Sequence, residues 1–415
     1  MQTAYGKSFG PGLLWAAAAI GVSHLVQSTR AGAVAGMALW WVILLALVLK
    51  YPFFEYGPRY AAATGESLVE GYMRIGRWAL GLYLTITVAT ALIIQGAVVL
   101  FTAFLFRYVF ALQASVTTVA AIVLAACATL IAIGRFKALD LTIKLVLVLL
   151  AVSTMFAAAF TVPRIPLKTL VPWPLGGVDG VAFPFLLALV GWMPSAIDIS
   201  VWSSLWTLAK DRTVGTRASV ATALLDFRVG YVGTAILAFA FAALGAGVMH
   251  GSGAAFSPQG TQFSVQLVDL YVATLGSWTR PMVLVAVVTT MFSTSLTVVD
   301  GFPRALARSI RVFVSRAPAG DERDGRIYWV SLVMLALLTV VVIGAFIGNL
   351  TTMVDFATIV SFLTAPVLGY LNLRVVQADH VPPEHRPRGA LLITSYVGLV
   401  LLGGTAVVYL VLLVR

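Results

Sequence analysis

The residues of this chain best suited to chemistry gather in two short stretches, each interrupting a long apolar run. Gly191–Trp206 reads G-W-M-P-S-A-I-D-I-S-V-W-S-S-L-W and lies inside an apolar segment from Val181 to Leu208. It offers a carboxylate at Asp198, a thioether at Met193, hydroxyls at Ser195 and Ser200, and indoles at Trp192, Trp202 and Trp206. Pro194 cannot donate a backbone N–H, and Gly191 weakens the helix beside it. A second interruption follows the small apolar residues of Gly10–Ile20, where Gly21, Ser23, His24 and Gln27 appear. Backbone freed in lipid is tolerated only where it is buried in protein or lines a cavity, and Gly/Pro-interrupted apolar segments point to solute sites. The two stretches are therefore expected to form two halves of one solute site.

Each residue has a functional and a structural reading. An ionisable His24 inside a membrane segment serves as a ligand or proton carrier, or is a neutral ring bonded to a carbonyl. Asp198 is a coupling carboxylate or an anchor for an amine, or else it forms an ion pair with Arg30 or Lys50. Met193 is a soft ligand or core packing. Ser23, Gln27, Ser195 and Ser200 bond a solute or act as helix glue. Trp192 walls an organic solute, whereas Trp202 and Trp206, four residues apart, read as structural. Lys50, Glu55 and Arg59 read as structural or gating, Asp140/Lys144 as a structural i,i+4 pair, and Asp226/Arg228 and Asp300/Arg304 as gate or coupling pairs. The single cysteine, Cys127, excludes a disulfide within the chain and a cysteine-based metal cluster. No Walker loop is present, the four histidines have no metal-ligand spacing, and no enzyme constellation appears. No cofactor is expected.

The elements that position these residues are membrane helices. The 415 residues are 60% hydrophobic and 10% charged, against about 25% charged in soluble domains. A spanning helix needs about 20 apolar residues. Eleven segments qualify: Gly10–Ala33, Gly36–Phe54, Trp78–Phe106, Val116–Gly134, Leu141–Val162, Val181–Leu208, Tyr231–Met249, Met282–Leu306, Tyr328–Gly348, Met353–Leu373 and Leu391–Val414. Short loops make them one membrane domain over residues 1–415. Phe263–Leu275 reads as a short surface helix. The net charge of +11 is spread through short loops, which argues against a nucleic-acid partner. Arg59, Arg74, Arg77, Arg135, Lys137, Lys210, Arg212, Arg217, Arg308, the solvated Arg311–Arg326 loop, Arg374, Arg386 and Arg388 fall on one side; the other carries Arg107, Arg164, Lys168 and Arg280. The bias places the first set in the cytoplasm, with the N-terminus inside and the C-terminus outside a cell or inner membrane. The first apolar segment lacks a signal peptide's n-region and cleavage site. Interruptions in the first and sixth segments predict two inverted five-helix repeats, 10–162 and 181–373, with 391–414 appended.

At Gly10-Pro11-Gly12 and Met193-Pro194 the chain resembles the Nramp family of divalent-metal transporters. The resemblance implies a LeuT-like all-α fold with broken first and sixth helices. The family's D-P-G-N falls on Gly21, Val22, Ser23 and His24, and its M-P-H on Met193, Pro194 and Ser195. The metal-site Asp and Asn are thus replaced, and Ala89–Gly96 lacks the acidic residues linked to proton movement. A metal site here would be softer, built on His24 and Met193. The tenth helix flanks the site in this fold, which adds Asp355 and Thr358. The resemblance implies a secondary transporter working by alternating access, with a divalent metal ion as substrate and an unknown coupling ion. A small organic, amino-acid-like solute is the alternative, because Gly21 and Ser23 leave room. A channel-like, uncoupled permease is the third reading.

Overall fold

The computed structural model describes residues 10–134, 136–175, 181–250, 252, 254–315, 325–345 and 349–414, without the side chains of 136–147. The expected Asp140/Lys144 pair and most of the Arg311–Arg326 loop lie outside the described residues. The elements are α1 (Pro11–Ala19), a π-helix (Ser23–Ser28), α2 (Thr29–Ala35), α3 (Trp40–Thr64), α4 (Leu68–Ile75), α5 (Arg77–Val109), α6 (Val116–Ile133), α7 (Phe136–Thr161), α8 (Phe183–Gly191), α9 (Ile199–Val214), α10 (Val220–Val248), α11 (Gly260–Leu275), α12 (Arg280–Ser315), α13 (Arg326–Ala345), α14 (Leu350–Val376) and α15 (Gly389–Val414). Among the described residues, eight helices are long and apolar enough to cross a bilayer. This is a multi-pass, all-helical membrane protein.

The two sequence interruptions are real breaks. Gly10–Ala33 becomes α1, the π-helix and α2; Val181–Leu208 becomes α8 and α9 with Trp192–Asp198 between them. Several helices outrun their apolar cores. α3 begins later than Gly36 and continues through Pro52 and Pro58 to Thr64, where Gly65 stops it at φ 77°. α10 starts at Val220 on a Ser219 cap, eleven residues before the expected Tyr231. α12 reaches Ser315, so Arg311 is helical rather than part of a solvated loop. Hydropathy marks the depth of a bilayer, whereas caps mark the end of a helix.

α10 is the central strut, packing on α1, α2, α3 and α7; α12 packs along α5, α9 along α3, and α14 along α8. Small residues permit these approaches. A methyl group added at Gly32 would sit 1.9 Å from the Ala242 carbonyl oxygen, and one at Gly245 would sit 2.1 Å from that of Thr29. The N-terminus of α1 is capped from α10: the Gly12 N–H donates to Asp226 Oδ2 at 2.7 Å. Asp226 therefore serves a helix end instead of pairing with Arg228. α11 packs against α5, with Phe263, Leu267 and Tyr271 buried. It is a packed element and does not lie free on the surface.

Candidate functional site

At the first break the Thr294 hydroxyl of α12 lies 3.3 Å and 3.2 Å from the Ala17 and Ile20 carbonyl oxygens. It serves carbonyls that the end of α1 leaves unpaired. Gly21 permits that approach, since a methyl there would sit 2.8 Å from Thr294 Cγ2. The chain then widens into the π-helix, a turn often found at functional sites. The Thr29 hydroxyl donates five residues back, to the His24 carbonyl at 3.2 Å. Ser23 Oγ lies 2.6 Å from the Ala19 carbonyl oxygen and 2.7 Å from His24 Nδ1. His24 Nε2 lies 2.9 Å from the Thr234 carbonyl oxygen and so carries a hydrogen. His24 is fully buried between the π-helix and α10, turned away from the cavity described below.

Gln27 joins a different cluster. Its Nε2 donates to Asp355 Oδ1 at 3.0 Å and Thr358 Oγ1 at 3.2 Å. Arg30 grips Asp355 with two bonds of 2.6 and 3.0 Å and also donates to Gln27 Oε1 at 2.9 Å. The guanidinium lies 5.0 Å from the Phe185 ring centre. This cluster ties the first broken segment to α14 and α8.

At the second break Lys50 of α3, fully buried, donates to the carbonyls of Val190, Gly191 and Ser195 at 3.0, 2.9 and 2.7 Å. Its ammonium sits on the negative end of α8 and satisfies carbonyls the break exposes. Gly191 is required by close packing: a methyl there would sit 2.0 Å from the Thr358 carbonyl oxygen. Trp192 Nε1 donates to Ser361 Oγ at 2.7 Å. Met193 is fully buried.

Between the breaks lies a cavity of about 40 Å³, room for about three waters. Its polar wall is Ser23, Ser195, Asp198 and Thr294; its aromatic wall is Trp192, Trp202 and Phe302. Asp198 occupies the N-cap position of α9 without capping it. The residue is 2% exposed, and neither carboxylate oxygen has a hydrogen-bond partner. The expected ion pair with Arg30 or Lys50 does not form, because Arg30 holds Asp355 and Lys50 holds the α8 carbonyls. Trp202 Nε1 is also buried without a partner.

Of the residues singled out in sequence, Ser23, Trp192, Ser195 and Asp198 line this cavity, with Gly21 packed against its Thr294. His24, Gln27, Met193 and Thr358 stand outside it. His24 and Met193 are thus not brought together as a ligand pair, and among the described residues no three His, Cys, Asp or Glu gather as a metal cluster. Sequence reading missed Thr294 and Phe302, and it read Trp202 as structural. It also missed α5: Tyr83, Thr87 and Thr90 carry buried hydroxyls without partners, while Ile94 and Val98 of the same helix line the cavity. Their helical spacing was the available signal.

These features, two broken helices flanking a buried cavity within a helical membrane bundle, are those of the LeuT fold in its Nramp-type form. The Eremococcus coleocola manganese transporter, in complex with an aromatic bis-isothiourea substituted compound, superposes at a TM-score of 0.72 with 12% identity, covering 97% of this chain and 86% of that one. MHP1, a nucleobase-cation-symport-1 family transporter with bromovinylhydantoin bound, superposes at 0.58 with 15% identity over 97% and 92% of the two chains. MhsT in complex with L-phenylalanine does so at 0.58 with 15% identity over 95% and 98%. No family model matches the chain. In sequence it is 35% identical over 403 residues to the uncharacterized protein PM0681 of Pasteurella multocida, covering 95% of this chain and 90% of that protein, and it belongs to that protein's family.

Proposed function

We propose that this protein is a secondary transporter that works by alternating access and binds a small solute through a cationic group at Asp198. The observation that carries this reading is the buried carboxylate of Asp198, facing the cavity between the two breaks without a partner. An ionised carboxylate left alone in a dry interior costs several kcal/mol, and a bound cation supplies the missing charge. One carboxylate balances one positive charge. Apolar and indole walls suit the hydrocarbon and cation–π contacts of an organic ammonium group. An amine or amino-acid-like solute is therefore the first-named substrate class.

A divalent metal ion is the second reading. The oxygen donors Ser23, Ser195 and Thr294 around Asp198 favour it, since hard cations take oxygen ligands. The Arg30–Asp355 latch gives alternating access an outer gate and argues against an open channel. Lys50 occupies the carbonyl end of α8, where broken-helix transporters coordinate a coupling cation, which favours a mechanism that needs no separate ion at that point. The basic loops orient the N-terminus to the cytoplasm.

Calorimetry on the purified protein tests the reading, with primary amines, amino acids, Mn²⁺ and Mg²⁺ as titrants. Saturable amine binding weakened at least about 100-fold in Asp198→Asn is the expected result. Mn²⁺ binding that depends on Asp198 would replace the organic reading with the metal one. Binding indifferent to Asp198→Asn would overturn the site.

A further inference from the structure

A second cavity, of about 680 Å³, lies on the flank of the bundle between α3, α10 and α15. Its length is apolar, built by Leu44 and Val48 of α3, Val232 and Phe239 of α10, and Leu391 of α15. Leu44, Val48 and Val232 are 43%, 49% and 55% exposed, so this wall opens sideways to the lipid. From Leu44 to Arg59 it follows α3 for about 22 Å at ~1.5 Å per residue. Half of a bilayer including its headgroup layer is about 20–22 Å. The groove therefore spans one leaflet.

At one end Arg59, Arg228, Arg386 and Arg388 converge. Among the described residues, two carboxylates answer these four cations. Glu55, 1% exposed, accepts from Tyr51 and Arg59 and from Arg228 at 3.5 Å. Asp379 lies 3.4 Å from Arg386 with a fully exposed side chain. The remaining bonds of Arg59, Arg386 and Arg388 go to the backbone carbonyls of His385, Val381, Asp379 and Pro383. Those carbonyls orient the guanidiniums without neutralising them. Among the described residues, Arg228 makes the long bond to Glu55 and one to Tyr51 Oη at 3.1 Å, and its side chain is half exposed.

We propose that this groove is a binding site for an anionic glycerophospholipid, its phosphate held by Arg59, Arg228, Arg386 and Arg388 and an acyl chain laid along α3 and α10. Guanidinium forks match phosphate oxygens, and basic pockets between membrane helices take anionic headgroups. A free anion would leave the apolar length unused, and a zwitterionic lipid would leave the excess positive charge unanswered. The occupant would clamp α3 to α10, which already meet where Tyr231 Oη donates to the Leu47 carbonyl at 2.5 Å. α10 also carries the carbonyl that holds His24, so the clamp bears on the first break.

The test is thermal unfolding and native mass spectrometry of the full chain in detergent, with phosphatidylglycerol, phosphatidylcholine or inorganic phosphate added. Phosphatidylglycerol is expected to bind saturably and raise Tm, at least about tenfold more tightly than phosphatidylcholine. Arg228→Gln combined with Arg388→Gln should remove that preference. Val232→Trp, which fills the groove from its lipid-facing wall and keeps every arginine, should weaken phosphatidylglycerol binding even if the arginine variant does not fold. Equal response to phosphatidylcholine, a shift reproduced by inorganic phosphate, or binding unaffected by Val232→Trp would each overturn the proposal.

Discussion

At the scale of single residues, the two buried ionisable groups at the second break play opposite parts. Lys50 has three carbonyls around its ammonium; Asp198 has no partner for its carboxylate. Removing the first should cost stability and removing the charge of the second should restore some. Lys50→Met is expected to lower unfolding free energy by about 3 kcal/mol, because three buried carbonyls lose their donor. Asp198→Asn is expected to raise it by about 1 kcal/mol or more in the absence of solute, even as it loses solute binding. Thermal melts of both variants in the same detergent check the pair. A fall in Tm for Asp198→Asn would mean that the carboxylate is structural.

At the scale of elements, the first broken segment is held by two devices at its two ends: the Arg30–Asp355 latch and the Asp226 cap. Breaking the latch with Arg30→Ala should let α2 and α14 part and expose the cavity. A cysteine at Ser23 would report this, against a quiet background because the native Cys127 is fully buried. Its labelling by a water-soluble thiol reagent is expected to rise about tenfold, the population shift that loss of a partly buried fork-shaped ion pair of roughly 1.4 kcal/mol allows. An unchanged rate would show that other contacts hold the gate. The connection between α14 and α15 offers a pH test. His380 Nε2 and Tyr60 Oη are 2.7 Å apart. Partial burial of the ring, with Arg74 and Arg386 nearby, holds the His380 imidazole below its ordinary value of 6.5. The unfolded chain therefore takes up a proton more readily than the folded one. Stability is full above that ordinary value and falls as pH drops through it. Melts from pH 8 to pH 5 should show the fall, and His380→Gln should flatten it.

At the scale of the whole molecule, the asymmetry of basic loops makes a prediction about sidedness. Ser252 follows α10, and Val314, 77% exposed, ends α12. An impermeant thiol reagent added to intact cells is expected to label Ser252→Cys and to spare Val314→Cys until the membrane is permeabilised. The reverse pattern would invert the orientation. The same large-scale view separates two spaces with different chemistry: a small cavity between the breaks, and a long basic-ended groove on the flank. The first lies between the two broken helices and the second opens toward the lipid.

The sequence by itself determined the membrane class, the places where two helices break, and Asp198 as a charge inside one of those breaks. These features follow from local chemistry: twenty-residue apolar runs, a proline without a donor, and polar residues where lipid forbids them. It also pointed to Ser23, Trp192 and Ser195, which line the cavity, since residues beside a break face the space the break opens. Tertiary structure alone decided which way each side chain turns. His24 and Met193 lie at the breaks, yet they face α10 and the packed core, because a helix directs neighbouring residues about 100° apart and only packing selects the face. Gln27 and Thr358 meet each other across two helices more than three hundred residues apart in sequence, outside the cavity. Thr294 and Phe302 came to the cavity from distant segments that carry no local mark of a site, and Lys50, named in sequence as a partner for Asp198, serves the α8 carbonyls instead. Helix ends beyond the apolar runs were likewise set by caps and by the close packing of Gly12, Gly32 and Gly191, which depends on partners that the local pattern does not name.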